Sequence, residues 1–438
     1  MKNTVLIICM FIFISSGIYA QQDKTWTLEE CINYALNQNI QVRKGDLNNK
    51  RLQSDSEQTR AQRLPFVNAS VTQNFDWSKS NLNGESGLSG SNGSGYSVNS
   101  GITIFNGARL TNQIKQAELY IQSGIYSLET TKESISLNIL NAYLQILYAE
   151  EEVRNSEKQI ESTTSELNLA EERLALQVIS QADYAQVKSQ LASEKLTLAN
   201  AQSQLAIAKV DLMQLMELPV TASFKIANPK LTENLNENRI PDVKSVYETA
   251  LKIKPQIQNA AVTKEAAALD EKIAKAGYYP TLSASAGVSS NFSSQLTGTY
   301  TGQLNDGIRP TAGFSLSIPV FQKNQVRTSV TLARIGYQDA ELSETDTKNQ
   351  LRKGIEQACQ DVYSAQIEYD ASLEKYEATQ EASALSDEKF QQGIINSVDY
   401  LVSKTNLIVA ESQFLQSKYN LIVSYKILDF YTGIPLSL

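Results

Sequence analysis

"SQADYAQVKSQL", residues 180–191, and "NSVDYLVSKTNL", residues 396–407, are one polar motif written twice. Asp-Tyr, a Lys four residues after the Tyr, a small hydroxyl residue, an amide residue and a Leu return in order 216 positions later. The same offset of 216 aligns Phe105 with Phe321, Ile139 with Ile355, Ala142 with Ala358 and Leu218-Pro219 with Ile434-Pro435. Upstream, an offset of 215 aligns Ala35-Leu36 with Ala250-Leu251, Gln41-Val42 with Gln256-Ile257 and Pro65 with Pro280. The chain therefore reads as a first repeat (21–219), a joining segment (220–241) and a second repeat (242–438). Each half far exceeds the roughly 20–50 residues of a solenoid repeat.

Both halves spell the same elements. A helical segment of nearly forty residues comes first, Thr27–Leu64 or Asp242–Tyr278. Two strands follow, expected over 66–77 and 96–105 in the first half and over 281–292 and 311–321 in the second. They alternate with a period of two. Val67, Ala69, Val71, Phe75 and Trp77 oppose Asn68, Ser70, Thr72, Asn74 and Asp76; Tyr96, Val98, Ile102 and Ile104 share one face of the second strand. In the other half Leu282, Ala284, Ala286 and Val288 alternate with Ser and Gly, as do Phe314, Leu316 and Ile318 with Gly313, Ser315 and Ser317. The Gly-, Ser- and Asn-rich stretches between paired strands read as mobile loops.

A long helix from about Gly107 to Gln177 and a shorter return helix complete the half. Ile135, Ile139, Ala142, Ile146, Ala149, Val153, Ser156, Ile160, Thr163, Leu167, Ala170 and Leu174 are spaced alternately four and three apart, the seam of a coiled coil. The return helix continues it through Val187, Leu191, Leu198, Ala201, Leu205, Ala208, Leu212 and Leu215, with Glu194 the one polar intruder. At 1.5 Å per residue the long helix extends on the order of 100 Å, too long and too polar for a bilayer.

Composition narrows the chemistry. The chain has no histidine, which removes Ser-His-Asp and Cys-His nucleophiles and the commonest zinc ligand. A formal charge of −8 with scattered basic residues argues against nucleic acid. Residues 1–20, with Lys2, an apolar run from Val5 to Ile14 and a small-residue end at Ala20, read as a secretory signal. Cleavage there leaves Gln21 first, so no N-terminal lipid anchor on Cys is expected, and Cys31 and Cys359 read as buried thiols. No stretch of the mature chain has eighteen consecutive apolar residues.

The strands admit two readings, a soluble sheet with one wet face or part of a membrane barrel with a polar lumen. Aromatics near the strand ends (Phe66, Trp77, Tyr96, Phe105, Tyr279 and Phe321) and the signal favour the barrel. Four strands cannot close one, and open edges in lipid strand their backbone groups at several kcal/mol each. Two chains give eight strands with a side-chain-filled interior; three give twelve and leave a passage.

Together the signal, the two repeats and the heptads resemble the TolC-type outer-membrane efflux and export channel family, over Trp26–Pro435. "QQGIINSVDYLVSKTNLIVAESQFLQSKYNLIVSYKILDFYTGIP" (391–435) looks like the family's second-half turn and return helix. "WTLEECINYALNQNIQV" (26–42) is similar to its entry helix, and "RAQRLPFVNASV" and "KAGYYPTLSASA" to its helix-to-strand transitions at Pro65 and Pro280. The resemblance implies a mainly α fold with a transmembrane β-barrel portion. It would be a homotrimer with a twelve-stranded barrel in outer-membrane lipid on a coiled-coil tunnel through the periplasm. It further implies a passive, non-enzymatic duct without metal or cofactor, docking onto a periplasmic adaptor (membrane fusion) protein and an inner-membrane transporter. The alternative is a non-conducting structural coiled-coil envelope protein.

In this family the repeated motif lies at the tip farthest from the barrel, so a trimer has six tips. Asp399 matches a constriction aspartate, and a further family aspartate is Val402 here. Gly393 matches the tip glycine, where the first half has Gln177; Phe390 and Ile395 replace a Tyr and an Arg that lock the mouth in some relatives. Asp399, Asp183, Tyr400 and Tyr184 are the pore or gate candidates, and Gln177, Ser180, Gly393 and Asn396 the adaptor-contact candidates. The plain reading runs alongside. Ser180-x-x-Asp183 and Asn396-x-x-Asp399 resemble capping boxes, Tyr184 and Tyr400 packing residues, and Lys188 and Lys404 solvated residues or partners for acids.

Overall fold

Left-handed backbone marks the joints of each half, at matching positions. The structure, a computed structural model, describes residues 25–82, 85–219, 224–229 and 242–438. The expected signal (1–20) and most of the joining segment lie outside the described residues. The first half contains β1 (Thr25–Trp26), α1 (Leu28–Gln38), α2 (Ile40–Ala61), β2 (Phe66–Leu82), β3 (Glu85–Phe105), α3 (Arg109–Ala175) and α4 (Gln181–Leu215). After β4 (Lys225–Ile226), the second half contains α5 (Val243–Ile253), α6 (Pro255–Lys275), β5 (Thr281–Ser293), α7 (Tyr300–Asp306), β6 (Arg309–Ser317), α8 (Gln325–Gln391) and α9 (Ser397–Thr432).

Gly107 and Ala108 before α3 have φ of 66° and 62°, and Lys323 and Asn324 before α8 have 48° and 62°. Gln177 at 57° follows α3 as Gly393 at 71° follows α8; Glu217 at 56° follows α4 as Gly433 at 83° follows α9. Every pair is 216 apart. Left-handed backbone costs a non-glycine residue roughly 1–2 kcal/mol. What offsets it is the closing hydrogen bond: Val178 N donates to Arg173 O and Ile394 N to Lys389 O, both at 2.9 Å. Leu218 N to Met213 O (2.8 Å) and Ile434 N to Asp429 O (3.0 Å) repeat the device. These six-to-one bonds satisfy carbonyls that a helix end leaves orphaned.

The helical segments expected to run unbroken over 27–64 and 242–278 are each two helices. The breaks fall at Asn39 (ψ 132°) and Lys254 (ψ 122°), again matched. Lys254 precedes Pro255, whose ring drives the preceding residue out of the helical region. Asn39 achieves the same break with its side chain, donating to Leu215 O at 2.9 Å and accepting from Gln41 N at 2.8 Å.

Two compact units share the chain. The first comprises the described residues up to Lys44 together with Glu129–Lys254 and Gln350–Leu438. Its core is the seam. Ala149, Ser156, Thr163 and Ala170 on α3 lie seven apart and are buried, small enough for close helix approach. Leu351, Ile355, Ala358, Val362 and Ala365 continue the four-three spacing on α8. Tyr143 is buried with them, its hydroxyl donating to Ala227 O at 2.6 Å beside the parallel β1–β4 pair.

The second unit comprises Gly45–Leu128 and Pro255–Asn349. Ser123 and Asn259 (2.6 Å), Gln116 and Asp270 (2.7 Å), and Arg60 and Glu118 (2.6 Å) tie its helical parts. Its antiparallel sheet has the order β2-β3-β5-β6, so β2 and β6 are edges. The register places Ala69 opposite Val98, Val98 opposite Val288, Ala286 opposite Ala312 and Leu282 opposite Leu316, a single apolar face. That face is bare: Val71, Trp77 and Phe314 are 71%, 70% and 79% exposed. Ser70 and Ser97 hydrogen-bond at 2.7 Å on the opposite, polar face.

Three expectations about strands and loops are corrected. Most of the stretch read as a mobile first loop is paired strand, continuing through Leu82↔Glu85. Ser, Asn and Gly carry no periodicity, yet their backbones pair as well as any. The last strand spans Arg309–Ser317 rather than 311–321, because Pro319 has no N–H for a ladder. A bulge between Thr103 and Phe105 sets Phe105, not Ile104, opposite Leu282. Within the stretch expected as the second loop, α7 forms, with Thr299 accepting from Gly302 N as its cap. Among the described residues no helix is long and apolar enough to cross a membrane.

Candidate functional site at the paired helix tips

The repeated motif begins both return helices, and the structure brings its two copies together. Ser180 starts α4 with a complete capping box: Asp183 N donates to Ser180 Oγ at 3.1 Å, and Ser180 N donates to Asp183 Oδ2 at 3.2 Å. The other carboxylate oxygen, Asp183 Oδ1, accepts a short 2.5 Å bond from Ser397 Oγ, 214 residues away. The Ser397 hydroxyl, then the Ser180 side chain and backbone, hold the Asp183 carboxyl below its ordinary value.

Asn396 caps α9 by accepting from Asp399 N at 2.9 Å, but this box is only half built. Asp399 is exposed, and among the described residues no hydrogen bond or ion pair engages its carboxylate. The two aspartates of the repeat therefore differ. Asp183 is consumed by capping and cross-linking, whereas Asp399 offers its charge to solvent.

Tyr400 and Lys404 are buried, and of the two readings of Lys404 the structure gives the partner for an acid, not the solvated residue. Tyr400 stacks on Phe390 with centroids 4.7 Å apart and donates to Glu166 Oε1 at 2.8 Å. Lys404 Nζ donates to the same Glu166 oxygen at 2.6 Å, to Thr163 at 2.8 Å and to Ser162 at 3.3 Å. All three ammonium protons thus find acceptors, which is what makes a buried Lys tolerable. Burial and the nearby Glu166 charge push the Tyr400 phenol well up.

The first copy lacks this network. Tyr184 is half-buried and Lys188 exposed, and the position matching Glu166, 216 residues on, is Ala382. The position matching Ser162 is Ala378. Glu166 and Ser397 were not singled out from sequence. The available signal was that Lys404 falls between Leu401 and Ile408 at seam spacing, a place that demands a buried acceptor. A cavity of about 560 Å³ adjoins the network, with Glu166, Arg173, Asp183, Asp387, Phe390 and Tyr400 among its lining residues. Gln177 and Gly393 are the left-handed turn residues of the two tips. Pro65 and Pro280 stand immediately before β2 and β5. Among the described residues no cluster could hold a metal ion.

Two helical-hairpin repeats, each carrying a β-hairpin, on a sheet with one bare apolar face define the class: a mainly helical protein with a small open antiparallel sheet. The profile of the outer membrane efflux protein family matches residues 31–217 and 246–433, and the chain belongs to that family. It is 25% identical over 301 residues to the pyoverdine export outer membrane protein OpmQ of Pseudomonas aeruginosa, covering 68% of this chain. The match spans 60% of OpmQ, less than two thirds of that relative's length. Toxin and drug export protein A of Aggregatibacter actinomycetemcomitans is 20% identical over 321 residues, 72% of this chain and 67% of that protein. The fold is similar to the crystal structure of the outer membrane protein VceC from Vibrio cholerae, with a TM-score of 0.78 at 17% identity over 93% of this chain and 96% of that one.

Proposed function

We propose that the protein is the homotrimeric exit duct of a tripartite efflux or type I secretion assembly. Three chains contribute twelve strands to one barrel, and solutes pass from periplasm to exterior without energy input from the duct itself. A periplasmic adaptor engages the tips around Gln177, Ser180, Gly393 and Asn396, and an inner-membrane transporter drives the cargo. The tips form the gate, with Asp399 presenting a ring of carboxylates to the passage.

One observation carries the reading: the sheet has two unpaired edges, β2 and β6, and one uncovered apolar face. Lipid accepts the apolar face but not the open edges, whose backbone groups need strands from other copies. Eight strands from two copies give an interior just wide enough for side chains to fill, so twelve is the smallest conducting number of this series. The unengaged carboxylate of Asp399 supports its assignment to the passage. Native mass spectrometry of the detergent-purified protein tests the assembly. Three chains per particle are expected, and a monomer or dimer overturns the reading.

A further inference from the structure

A second cavity, of about 330 Å³, lies among α3, α4 and α9 in the first unit. That is the small end of the roughly 300–1,000 Å³ range of ligand pockets. Three carboxylates line it, Glu152, Glu194 and Glu411, among hydroxyl and amide groups, with no Lys or Arg in its lining. Ile408 and Val409 give it an apolar wall.

Glu194 is the polar intruder in the α4 seam. It is only 6% exposed; Oε1 accepts from the Gln190 amide at 3.0 Å, and Oε2 is buried with no partner. A buried, half-satisfied carboxylate is unfavourable unless a cation meets it. The internal repeat supplies the control. The matching position in α9 is Ala410, fully buried, so packing alone does not call for an acid there. Glu411 is likewise unrepeated, its match being Lys195. Burial pushes the Glu411 carboxyl up against the pull of the exposed Lys158, with Glu152 and Glu151 adding to the rise. Glu152 accepts from Ser412 at 2.8 Å.

The acceptors do not converge as a bare metal ion requires, since among the described residues no three acids form such a cluster. Spread carboxylates and hydroxyls suit N–H donors separated along a chain, and an apolar wall suits methylenes between them. We infer that this cavity binds an aliphatic polyamine, with ammonium groups at Glu194 and Glu411 and the methylenes against Ile408 and Val409.

Calorimetric titration of the purified full-length protein with spermidine near neutral pH tests this. Saturable binding at one site per chain is expected, weakened at least about tenfold, the worth of one charge-assisted hydrogen bond, by Glu194→Ala and by Glu411→Gln. Glu157→Gln, an exposed acid on α3 outside the cavity, leaves the affinity unchanged and controls for attraction to an acidic chain. Spermidine also raises the melting temperature of the wild type more than that of Glu194→Ala, which copies the residue at Ala410. The proposal is overturned by absent saturation, by unchanged affinity in both cavity variants, or by equal weakening in Glu157→Gln. Heat of binding does not depend on conduction, so this result and the test of the duct stand or fall separately.

Discussion

Lys404 on α9 and Glu166 on α3 meet at 2.6 Å, with side chains only 7% and 20% exposed, and join the last helix of one repeat to the long helix of the other. The pair exists in one copy of the repeated motif only. Removing one member of a buried pair leaves an uncompensated charge at about 3–5 kcal/mol. Lys404→Ala is expected to cost about 3 kcal/mol, the low end because Tyr400 still donates to Glu166. Lys404→Met combined with Glu166→Leu recovers most of that loss. Denaturation of wild type, Lys404→Met, Glu166→Leu and the double variant, with Lys404→Ala alongside, checks it, and additive losses of the Met and Leu singles in the double contradict it.

The left-handed joints give a paired prediction. Gln177→Gly relieves left-handed strain and stabilises by about 1 kcal/mol, whereas Gly393→Ala destabilises by about as much. Open space surrounds Gly393, so its penalty comes from backbone alone. Thermal melting of both variants decides; equal shifts of one sign mean that the two tips do not share a turn.

Acid sensitivity follows from Asp183. Its carboxyl is depressed in the folded state, so its contribution is fully present above the unfolded value near 3.8 and is lost as pH falls through the lower folded value. Ser397→Ala removes the largest cause and shrinks that contribution. Melting temperature between pH 6 and pH 2 should fall less steeply in Ser397→Ala than in wild type, and an unchanged slope contradicts the assignment.

The sheet faces can be tested by placing a charge on each. Phe314→Arg, on the bare apolar face, is expected to cost about 2–4 kcal/mol in lipid if it lies near the midplane and to lower assembly into the outer membrane. Ser285→Arg, on the polar face, should assemble at near wild-type levels. The amount of heat-modifiable, folded protein in outer-membrane fractions reads the difference.

Much of this architecture was legible because it rests on periodicity. The four-three seam from Ile135 to Leu174 and the alternation of Val67, Ala69 and Val71 are local patterns that the folded elements keep. The break at Asn39 was not legible, since no proline marks it and its cause is a side-chain bond to Leu215, 176 residues away. Pairing of β2 and β3 beyond Trp77 was hidden because the Ser-, Asn- and Gly-rich sequence there carries no two-residue alternation. The site was half visible. The motif disclosed Asp183, Tyr400 and Lys404, but Glu166 lies 238 residues before Lys404 in a stretch with no matching acid in the other half. Only the folded chain shows that the two written copies are not equivalent.

The central claim is conduction through a mouth that Asp399 lines. Single-channel recording of the purified protein in planar bilayers, wild type beside Asp399→Ala, tests it most directly. The account predicts small, cation-selective conductance whose selectivity falls in Asp399→Ala. Membrane-inserted trimers that pass no current would contradict the duct itself, and unaltered selectivity would remove Asp399 from the passage.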